Sequence, residues 1–555
     1  MNAPTATAPQ TAPTAPPAPR MTREELARAS TLGGGSLLHH ALAVSADPGA
    51  PFLHSEHPLL GPDGVRRRDF TLTELDDLAR TWSAWYLDRG IGPHDRVAVY
   101  LTDSFEDVLH FLALSQIGAI PVLVNGRLAA ETAAGLYERT GAAGLFTDSV
   151  HRDALRTAGV LDGLTVLGVS DEMSALGTGA GPLADADRFR HAPGDPVLIS
   201  HSSGTTGVPK AVIWTHEGSV AALRELLLLP QPAEREVMLS AVPQSHQAGA
   251  SFAAGALLFG ARLIALADRS GAHVAAAIAE HRPHTVVAFA QTYAELAALE
   301  PSDEVLASVE RWFNTGDSAH GRHIAPLVRA GAVFIDGLGS SELGFAQFGQ
   351  VTTADTVRHD RCIGRPHPWA RVAVLREDGT EAPRGEAGLL GVRGPTLTPG
   401  YWNDQDRYYR SRLGGWFVSG DVVREGEDGT YFHLDRAVDV IHTAHGPAYS
   451  LLMEEALLGA LPDLDDCTVV GVPDGAGAES PVAVLRPRDP DADAERLRTA
   501  AAKALAEAGL PALAAVRVAR TAGEVPLGPS GKVLKRHLRL QLADALTATD
   551  PGETS

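Results

Sequence analysis

Cysteine is nearly absent from this chain, since only Cys362 and Cys467 occur among 555 residues. Two distant cysteines cannot build a disulfide framework, and they lack the spacing of a thiolate metal site. The sequence is therefore compatible with a reducing compartment, and we expect a cytoplasmic protein.

Positive charge and long apolar runs are also scarce. The 47 Lys and Arg residues are outnumbered by 68 Asp and Glu residues, which gives a net charge of -21. Such a surface repels nucleic acid and anionic lipid. The longest apolar stretch, residues 248–267, is interrupted by Ser251, Arg262 and several glycines, whereas a membrane-spanning helix needs about 20 apolar residues with little charge. We therefore expect no nucleic acid and no membrane as partners, and predict a core helix and a strand here.

The composition is that of a folded globular protein. Hydrophobic residues make up 44% and charged residues 21%, which excludes a wholly disordered or collagen-like chain. At about 150 residues per domain, the length predicts three to four structural units. Residues 1–22 are rich in Pro, Ala and Thr and lack the features of a secretory signal. We predict disordered tails at 1–22 and 546–555.

Short apolar runs alternate with helical patterns from Asp95 onward. RVAVYL and IPVLV are typical of strands, and SFEDVLHFLALSQIG between them predicts an amphipathic helix. This alternation predicts parallel strands joined by crossover helices. The same rhythm over 200–336 predicts a second doubly wound sheet. Over 371–431 the helical period gives way to strands divided by Gly-rich turns, and a compact α+β unit follows Asp435.

A hydroxyl-rich loop, SSGTTGVPK at Ser202–Lys210, lies between two strand-like patterns, VLIS and AVIWTH. Hydroxyls beside glycines present many donors with little side-chain bulk, as a polyanionic phosphate tail requires. The loop does not fit the Walker A pattern. Its position between apolar strands favours a phosphate-binding loop over a flexible linker.

This loop resembles the signature of the adenylate-forming superfamily, which includes acyl-CoA synthetases, firefly luciferase and the adenylation domains of non-ribosomal peptide synthetases. Further matching motifs follow in the family's order: PQSHQAG (243–249), GLGSSE (337–342), GRP (364–366), RGPTLTPGYWND (393–404), GWFVSGD (415–421), LDRAVDVI (434–441) and PLGPSGK (526–532). The resemblance implies an α/β fold. A large N-terminal AMP-binding domain, 23–435, would hold two doubly wound α/β subdomains plus a small β-barrel, followed by a small mobile α+β domain, 436–545.

The resemblance also implies an enzyme, an AMP-forming acid ligase that uses ATP and Mg²⁺. A carboxylate is a poor electrophile, and joining it to AMP supplies a good leaving group; catalysis at the α-phosphorus then depends on positioning and charge neutralisation. By resemblance, the catalytic residues are Lys532, Glu342 and His246, and Glu342 and Thr205 hold the metal. Nucleotide-binding residues carried over from the motifs are Ser202, Ser203, Gly204, Thr205, Thr206, Gly207, Lys210, Asp317, Gly337, Leu338, Gly339, Ser340, Ser341, Asp421 and Arg436.

Some of these positions allow more than one interpretation. His246 could line the acyl pocket or serve as a core or gate histidine. Asp317 could bind the adenine amino group or a basic group on the substrate. Leu338 stands where relatives carry an aromatic residue that stacks on adenine, so only apolar packing is expected there.

The eighth motif, DVIHTAHGPAYSLLMEEAL, departs most from the family. His442 replaces the usual lysine, the loop before Gly446 is one residue longer, and the hinge position is Val438. In thioester-forming relatives this loop turns into the active site and admits phosphopantetheine. Three acceptors therefore compete: a thiol of CoA or of a carrier protein, the commonest outcome; an amine, giving an amide; or an arylamine that reacts with ATP-activated nitrite. Partners implied are a small aryl or aryl-like acid, a carrier protein and a second copy of the chain in a homodimer.

Overall fold

The computed structural model describes residues 20–179, 181–201, 208–230, 235–316, 319–475, 477–527 and 533–548. Its helices are α1 Arg23–Arg28, α2 Leu37–Val44, α3 Leu72–Leu87, α4 Phe105–Gln116, α5 Ala130–Thr140, α6 Ser149–Thr157, α7 Ala221–Leu227, α8 Gln247–Phe259, α9 Gly271–His281, α10 Ala290–Ala298, α11 Asp303–Leu306, α12 Gly321–Val328, α13 Gln405–Arg410, α14 Ser450–Ala460, α15 Ala494–Glu507 and α16 Lys535–Ala548.

Its strands are β1 Pro51–Leu60, β2 Arg66–Thr71, β3 Arg96–Tyr100, β4 Ile120–Val124, β5 Gly144–Thr147, β6 Val166–Val169, β7 Pro196–His201, β8 Ala211–Thr215, β9 Val237–Ala241, β10 Arg262–Ala265, β11 Thr285–Ala288, β12 Arg311–Thr315, β13 Val333–Leu338, β14 Phe348–Thr352, β15 Cys362–Pro366, β16 Arg371–Leu375, β17 Ala387–Arg393, β18 Arg412–Leu413, β19 Trp416–Glu425, β20 Tyr431–Arg436, β21 Ile441–Thr443, β22 Gly446–Ala448, β23 Leu464–Pro473, β24 Glu479–Pro487 and β25 Ala515–Val518.

A six-stranded sheet forms the first α/β layer, in the order β6-β5-β3-β4-β7-β8. Every pairing in it is parallel except the last, where β7 and β8 run antiparallel. This confirms the predicted βαβ alternation. Helix α4 is not amphipathic, however, because all its residues from Phe105 to Gln116 are buried, including Glu106 and Asp107. The helix is covered on all sides, and Glu106 accepts a hydrogen bond from Ser170 Oγ at 2.6 Å inside the protein.

The second sheet is built around parallel strands in the order β13-β12-β11-β9-β10-β1. Helix α8 packs on one face with Met238, Val242 and Val287. Helices α9, α10 and α12 pack on the other face, against the alternate residues of the same strands. The prediction of a core helix and a strand over 248–267 is confirmed by α8 and β10. Strand β1 precedes the first sheet in sequence but pairs with β10 of the second.

The segment after β13 is antiparallel and extends the second sheet through β14, β15, β20, β19, β17 and β16. With β18 paired to β19 and β2 paired to β1, this sheet has fourteen strands. The predicted series of strands over 371–431 is thus present. One short helix, α13, interrupts it where no helical pattern was predicted, and it is only six residues long.

The small C-terminal domain has a three-stranded sheet, β23-β24-β25, with α14 and α15 on one face and α16 on the other. It contacts the large domain through α14, where Glu455 accepts hydrogen bonds from His320 Nδ1 at 2.5 Å and His359 Nδ1 at 3.2 Å. The predicted mixed α/β class, with a large N-terminal and a small C-terminal domain, is confirmed. None of the helices in the described part of the chain is long and apolar enough to cross a membrane.

Candidate active site

The candidate site lies where the winding of the second sheet reverses. The chain passes from β9 through α8 to β10 on one side, and then through α9 to β11 on the other side of β9. Open α/β sheets bind ligands in the crevice at the carboxyl ends of strands that flank such a reversal. His246 follows β9, Phe289 follows β11, and the Gly337–Glu342 motif ends β13; all of them line one cavity of about 1610 Å³.

Lys210 and Glu342, 132 residues apart in sequence, form an ion pair in this cavity. Lys210 Nζ lies 2.9 Å from Glu342 Oε1 and 3.0 Å from the hydroxyl of Tyr401, and that hydroxyl donates to Glu342 Oε1 at 3.1 Å. Burial acts to raise the pKa of the Glu342 carboxyl, but the charge and hydrogen bond of Lys210 outweigh it and the pKa is lowered. Glu342 is therefore an ionised acceptor at neutral pH.

Tyr401 is a site residue that the motif analysis missed. Its ring is fully buried, and burial together with the Glu342 carboxylate raises its pKa, so its hydroxyl remains a proton donor. Tyr401 belongs to the RGPTLTPGYWND motif. Its fixed position in that motif is the sequence feature that could have identified it as a site residue.

The residues around Glu342 fit a magnesium ion that is shared with a nucleotide. A carboxylate offers about four acceptor sites, and the contacts described above use only Oε1. Among the described residues no three His, Cys, Asp or Glu side chains form a metal-binding group. Mg²⁺ bound with a nucleotide takes one or two carboxylates plus phosphate oxygens, so a single carboxylate is the expected donor set.

The GLGSSE motif, residues 337–342, forms the wall of the cavity beside Glu342. Gly337, Leu338, Gly339, Ser340 and Ser341 all line it. A Cβ atom built at Gly337 would lie 3.0 Å from Cβ of Ala346, and one built at Gly339 would lie 3.2 Å from its Cα. Because both positions lack a side chain, only their backbone faces the cavity. Behind this wall, Asp336 accepts from Asn314 Nδ2 at 2.8 Å, and burial raises its pKa to about 6.

Asp421 and Arg436 are cross-strand partners on β19 and β20. Arg436 Nε lies 3.2 Å from Asp421 Oδ1, and His433 Nε2 lies 3.4 Å from the same oxygen. Burial acts to raise the pKa of Asp421, but Arg436 and His433 hold it well below its usual range. Both predicted residues reach the cavity as one charge-paired unit, and His433 is a neighbour that sequence reasoning missed. Their predicted contact with ribose stays a prediction.

His246 is the N-cap of α8, where its Nδ1 accepts from the amide of Ala248 at 3.1 Å. Its ring meets Phe289 edge to face, with centroids 5.6 Å apart. The same ring lines the cavity. The geometry therefore combines a structural task with exposure to the site, and a catalytic task for His246 stays a prediction.

Several predicted residues lie outside the described part of the chain: Ser202, Ser203, Gly204, Thr205, Thr206, Gly207, Asp317 and Lys532. Residues on both sides of these gaps line the cavity. Pro209 and Lys210 follow the first gap, Gly316 precedes Asp317, and Leu527 and Val533 flank the segment that carries Lys532.

The eighth motif forms a small hairpin of β21 and β22. Gly446 lies in it with φ 116°, and Val438, the predicted hinge position, has 77% of its surface exposed. Residues 440–450 are all described, and none of them lines the cavity. Leu527 and Val533, at the two ends of the PLGPSGK motif, therefore face the site in this arrangement of the domains, and the β21–β22 hairpin does not.

Comparison with known proteins agrees with this geometry. The family model described as AMP-binding enzyme matches residues 43–402, and its C-terminal domain model matches residues 453–532. The chain is 40% identical to a 3-aminoavenalumate diazotase from a Streptomyces species, over 94% of this chain and 98% of that one. It is 29% identical to a 3-amino-2-hydroxy-4-methoxybenzoate diazotase of Streptomyces cremeus, over 87% and 91%.

Among solved structures, the o-succinylbenzoate coenzyme A synthetase of Bacillus subtilis, in complex with ATP and magnesium ion, superposes with a TM-score of 0.75 at 20% identity, covering 91% of this chain and 99% of that one. The prediction of ATP and Mg²⁺ as cofactors is confirmed at the level of the family. On these matches and the site they cover, the chain belongs to the AMP-binding enzyme family and is an adenylating ligase of the adenylate-forming superfamily.

Proposed function

We propose that this enzyme uses ATP to activate nitrite and transfers the nitroso group to an arylamine, which becomes a diazonium ion. The observation that carries this proposal is the 40% identity to a 3-aminoavenalumate diazotase along 94% of the chain. The second diazotase, at 29% identity over 87% of the chain, supports it independently.

The reaction requires no external oxidant or reductant, because the nitrogen of nitrite already has the oxidation state of the nitroso group that is transferred. A nitrite oxygen attacks the α-phosphorus, the bond to the β-phosphate oxygen breaks, and pyrophosphate leaves with the electron pair. The amine nitrogen then attacks the nitroso nitrogen, and AMP leaves with the oxygen that came from nitrite. The attacking amine loses one proton and gives the neutral N-nitrosamine, in which a second proton moves from nitrogen to oxygen. The resulting hydroxyl takes up a proton and leaves as water, which gives the diazonium ion.

The site offers what the first step needs. Glu342 is an ionised carboxylate suited to Mg²⁺, and Lys210 beside it supplies a positive charge for the phosphate tail. Asp421 and Arg436 form a second charged pair in the same cavity for the ribose and phosphate. Positioned charges of this kind are the main source of catalysis in phosphoryl-group displacement.

The second step needs an amine close to the nucleotide but no passage for phosphopantetheine. An apolar pocket lined by Phe252, Phe289 and Phe313 opens beside the nucleotide end of the cavity, and apolar walls suit an aryl ring. The eighth-motif hairpin carries His442 where the family has its lysine. The apolar pocket and this substitution support an arylamine acceptor over a thiol.

The test compares acceptors directly. The enzyme is incubated with ATP, Mg²⁺ and 3-aminocinnamate, with nitrite in one series and CoA in another, and AMP and products are measured. We expect AMP formation that requires nitrite and a diazonium ion that can be trapped by coupling to a phenol. Glu342→Gln should abolish AMP formation in the nitrite series. Thioester formation with CoA, without nitrite, would instead establish the thiol route that the family resemblance favours, and would contradict the proposal.

Carrier-protein binding and homodimer formation stay predictions.

A further inference from the structure

The apolar part of the cavity is long, and one of its walls is helix α8. Ala248, Ser251, Phe252, Gly255 and Phe259 line it. Their spacing of three, four, seven and eleven residues from Ala248 places them on one face of the helix. At 1.5 Å per residue, this face extends the pocket by about 16 Å from Ala248 to Phe259.

The opposite wall is the second sheet, from one edge to the other. Thr315 and Gly337 line the cavity at the carboxyl ends of β12 and β13, beside the predicted nucleotide site. Met238, Thr285 and Arg311 also line it, and they are aligned neighbours at the amino ends of β9, β11 and β12. Thr315 lies four residues after Arg311 along the strand, a distance of about 13 Å at the usual rise. The two walls therefore agree on the depth of the pocket.

Halfway along the pocket, the rings of Phe252 and Phe313 meet edge to face, with centroids 6.1 Å apart. They form an aromatic wall that suits a planar ligand packed against it. One helical turn further on, Gly255 has no side chain, and a Cβ built there would come no closer than 3.7 Å to Phe259 and 3.8 Å to Leu223. A larger residue at 255 would thus fold normally and fill the lower half of the pocket.

The far end of the pocket is polar. Arg311 Nη2 lies 2.9 Å from Glu236 Oε1, and Arg311 Nε donates to the hydroxyl of Thr285 at 3.1 Å. That hydroxyl also donates to Glu236. An alkyl terminus buried here would remove water from these groups and offer no hydrogen bond in return, which is costly. The far end therefore favours a ligand that finishes in a polar group.

We propose that the pocket binds an elongated, planar arylamine with a polar group at its far end, and that Gly255 determines the length it accepts. The amine at the nucleotide end rests on the proposed function, whereas the length and the polar terminus rest on the cavity alone. The ligand would extend from the carboxyl edge of the sheet to Arg311 at the amino edge.

Binding of three probes of increasing length tests the proposal without nitrite: 3-aminobenzoate, 3-aminocinnamate and 5-(3-aminophenyl)penta-2,4-dienoate. Calorimetry on the full chain should show the dienoate bound at least about tenfold more tightly than the benzoate, since each buried carbon adds apolar contact. A dienoate analogue with a methyl group in place of the carboxylate should bind several-fold more weakly than the dienoate.

Gly255→Leu should remove the advantage of the dienoate while leaving 3-aminobenzoate binding within about threefold of wild type, because one added apolar side chain fills only the lower pocket. Gly163→Leu, at an exposed position with open space around it, is the matched control and should bind all probes as wild type does. Equal binding of the three probes by wild type, or equal loss of all three in Gly255→Leu, would overturn the proposal. Because these measurements use no nitrite, they stand whether or not the nitrite reaction occurs.

Discussion

At the scale of single residues, the site is organised by pairs of opposite charge that are brought together from distant parts of the chain. Lys210 meets Glu342, and Arg436 meets Asp421, and in each pair the cation keeps the carboxyl ionised despite its burial. Ionised, partly desolvated charges act strongly on a polyphosphate. Tyr401 completes the first pair by bonding both partners.

Tyr401→Phe should therefore weaken the use of magnesium. Removing the hydroxyl takes one hydrogen bond from Glu342 and one acceptor from Lys210, and partners of metal ligands typically contribute about 10- to 100-fold. We expect the Mg²⁺ concentration for half-maximal AMP formation to rise by about tenfold, measured from initial rates. Tyr409→Phe is the control, since Tyr409 is 70% exposed on the neighbouring helix. Identical magnesium dependence in both variants would show that the Tyr401 hydroxyl does not support the metal.

At the scale of elements, α14 joins the two domains through adjacent buried carboxylates that face different partners. Glu455 turns to the large domain, where it bonds His320, His359 and the amide of Gly321 at 3.2 Å. Glu454 turns inward to Lys535 of α16, with Nζ 2.7 Å from Oε1. The first carboxylate fixes the docking of the domains, and the second fixes the C-terminal domain itself.

Lys535→Met should destabilise the C-terminal domain by about 3–5 kcal/mol, because it leaves the buried Glu454 without its counter-charge. Denaturant unfolding measures this loss. The double variant Lys535→Met, Glu454→Leu should recover most of the stability, since an apolar pair can replace a buried ion pair. Lys503→Met, whose lysine is 74% exposed on α15, should change little. A double variant as unstable as the single one would contradict this account of the pair.

Domain docking should depend on pH through His359 and Glu455. The hydrogen bond that His359 donates to Glu455 raises the pKa of His359. The contribution of this hydrogen bond to stability is complete below the pKa of an unfolded histidine, about 6.5. It is lost as the pH rises through the raised pKa of His359 in the folded protein. Burial acts to raise the pKa of Glu455, but His320, His359 and Arg361 hold it well below its usual range. The contribution of ionised Glu455 to stability is present above the pKa of an unfolded glutamate, about 4.3. It is lost only as the pH falls through the lowered pKa of Glu455 in the folded protein.

We therefore expect the thermal stability of the wild type to decline from pH 6.5 to 8.5 more steeply than that of His359→Gln. The effect should be modest, because His359 is half exposed. His445→Gln, on the exposed β21–β22 hairpin, is the matched control and should follow the wild type. Parallel pH profiles for all three proteins would exclude His359 from the docking contact.

At the scale of the whole molecule, two sheets and a small domain surround one cavity, and the motifs that line it come from all three. The sequence predicts the alternating strands and helices because each strand is a short apolar run with a helical pattern after it. Motif order predicts Lys210, Glu342, Asp421 and Arg436, which the fold brings to one cavity. The fold prediction succeeds because local patterns carry the information, whereas the roles of the four motif residues stay predictions.

Other features depend on contacts between distant segments, which local patterns do not encode. The pairing of β1 with β10 and the burial of α4 on all sides arise from packing of the whole domain. Tyr401 becomes a site residue only because it meets Lys210 and Glu342, which lie far from it in sequence. His433 becomes one through the pairing of β20 with β19 beside Asp421. The depth of the pocket below Phe252 likewise follows from the register of β9, β11 and β12, and no single motif carries it.

The central claim, that nitrite rather than a carboxylate attacks the α-phosphorus, can be tested by following oxygen. The enzyme is incubated with ATP, Mg²⁺, 3-aminocinnamate and nitrite labelled with ¹⁸O at both oxygens, and the AMP is analysed by mass spectrometry. The account predicts one ¹⁸O in each AMP released, because the nitrite oxygen that attacks phosphorus stays with the phosphate when the N–O bond breaks. Unlabelled AMP, formed at the same rate, would contradict it.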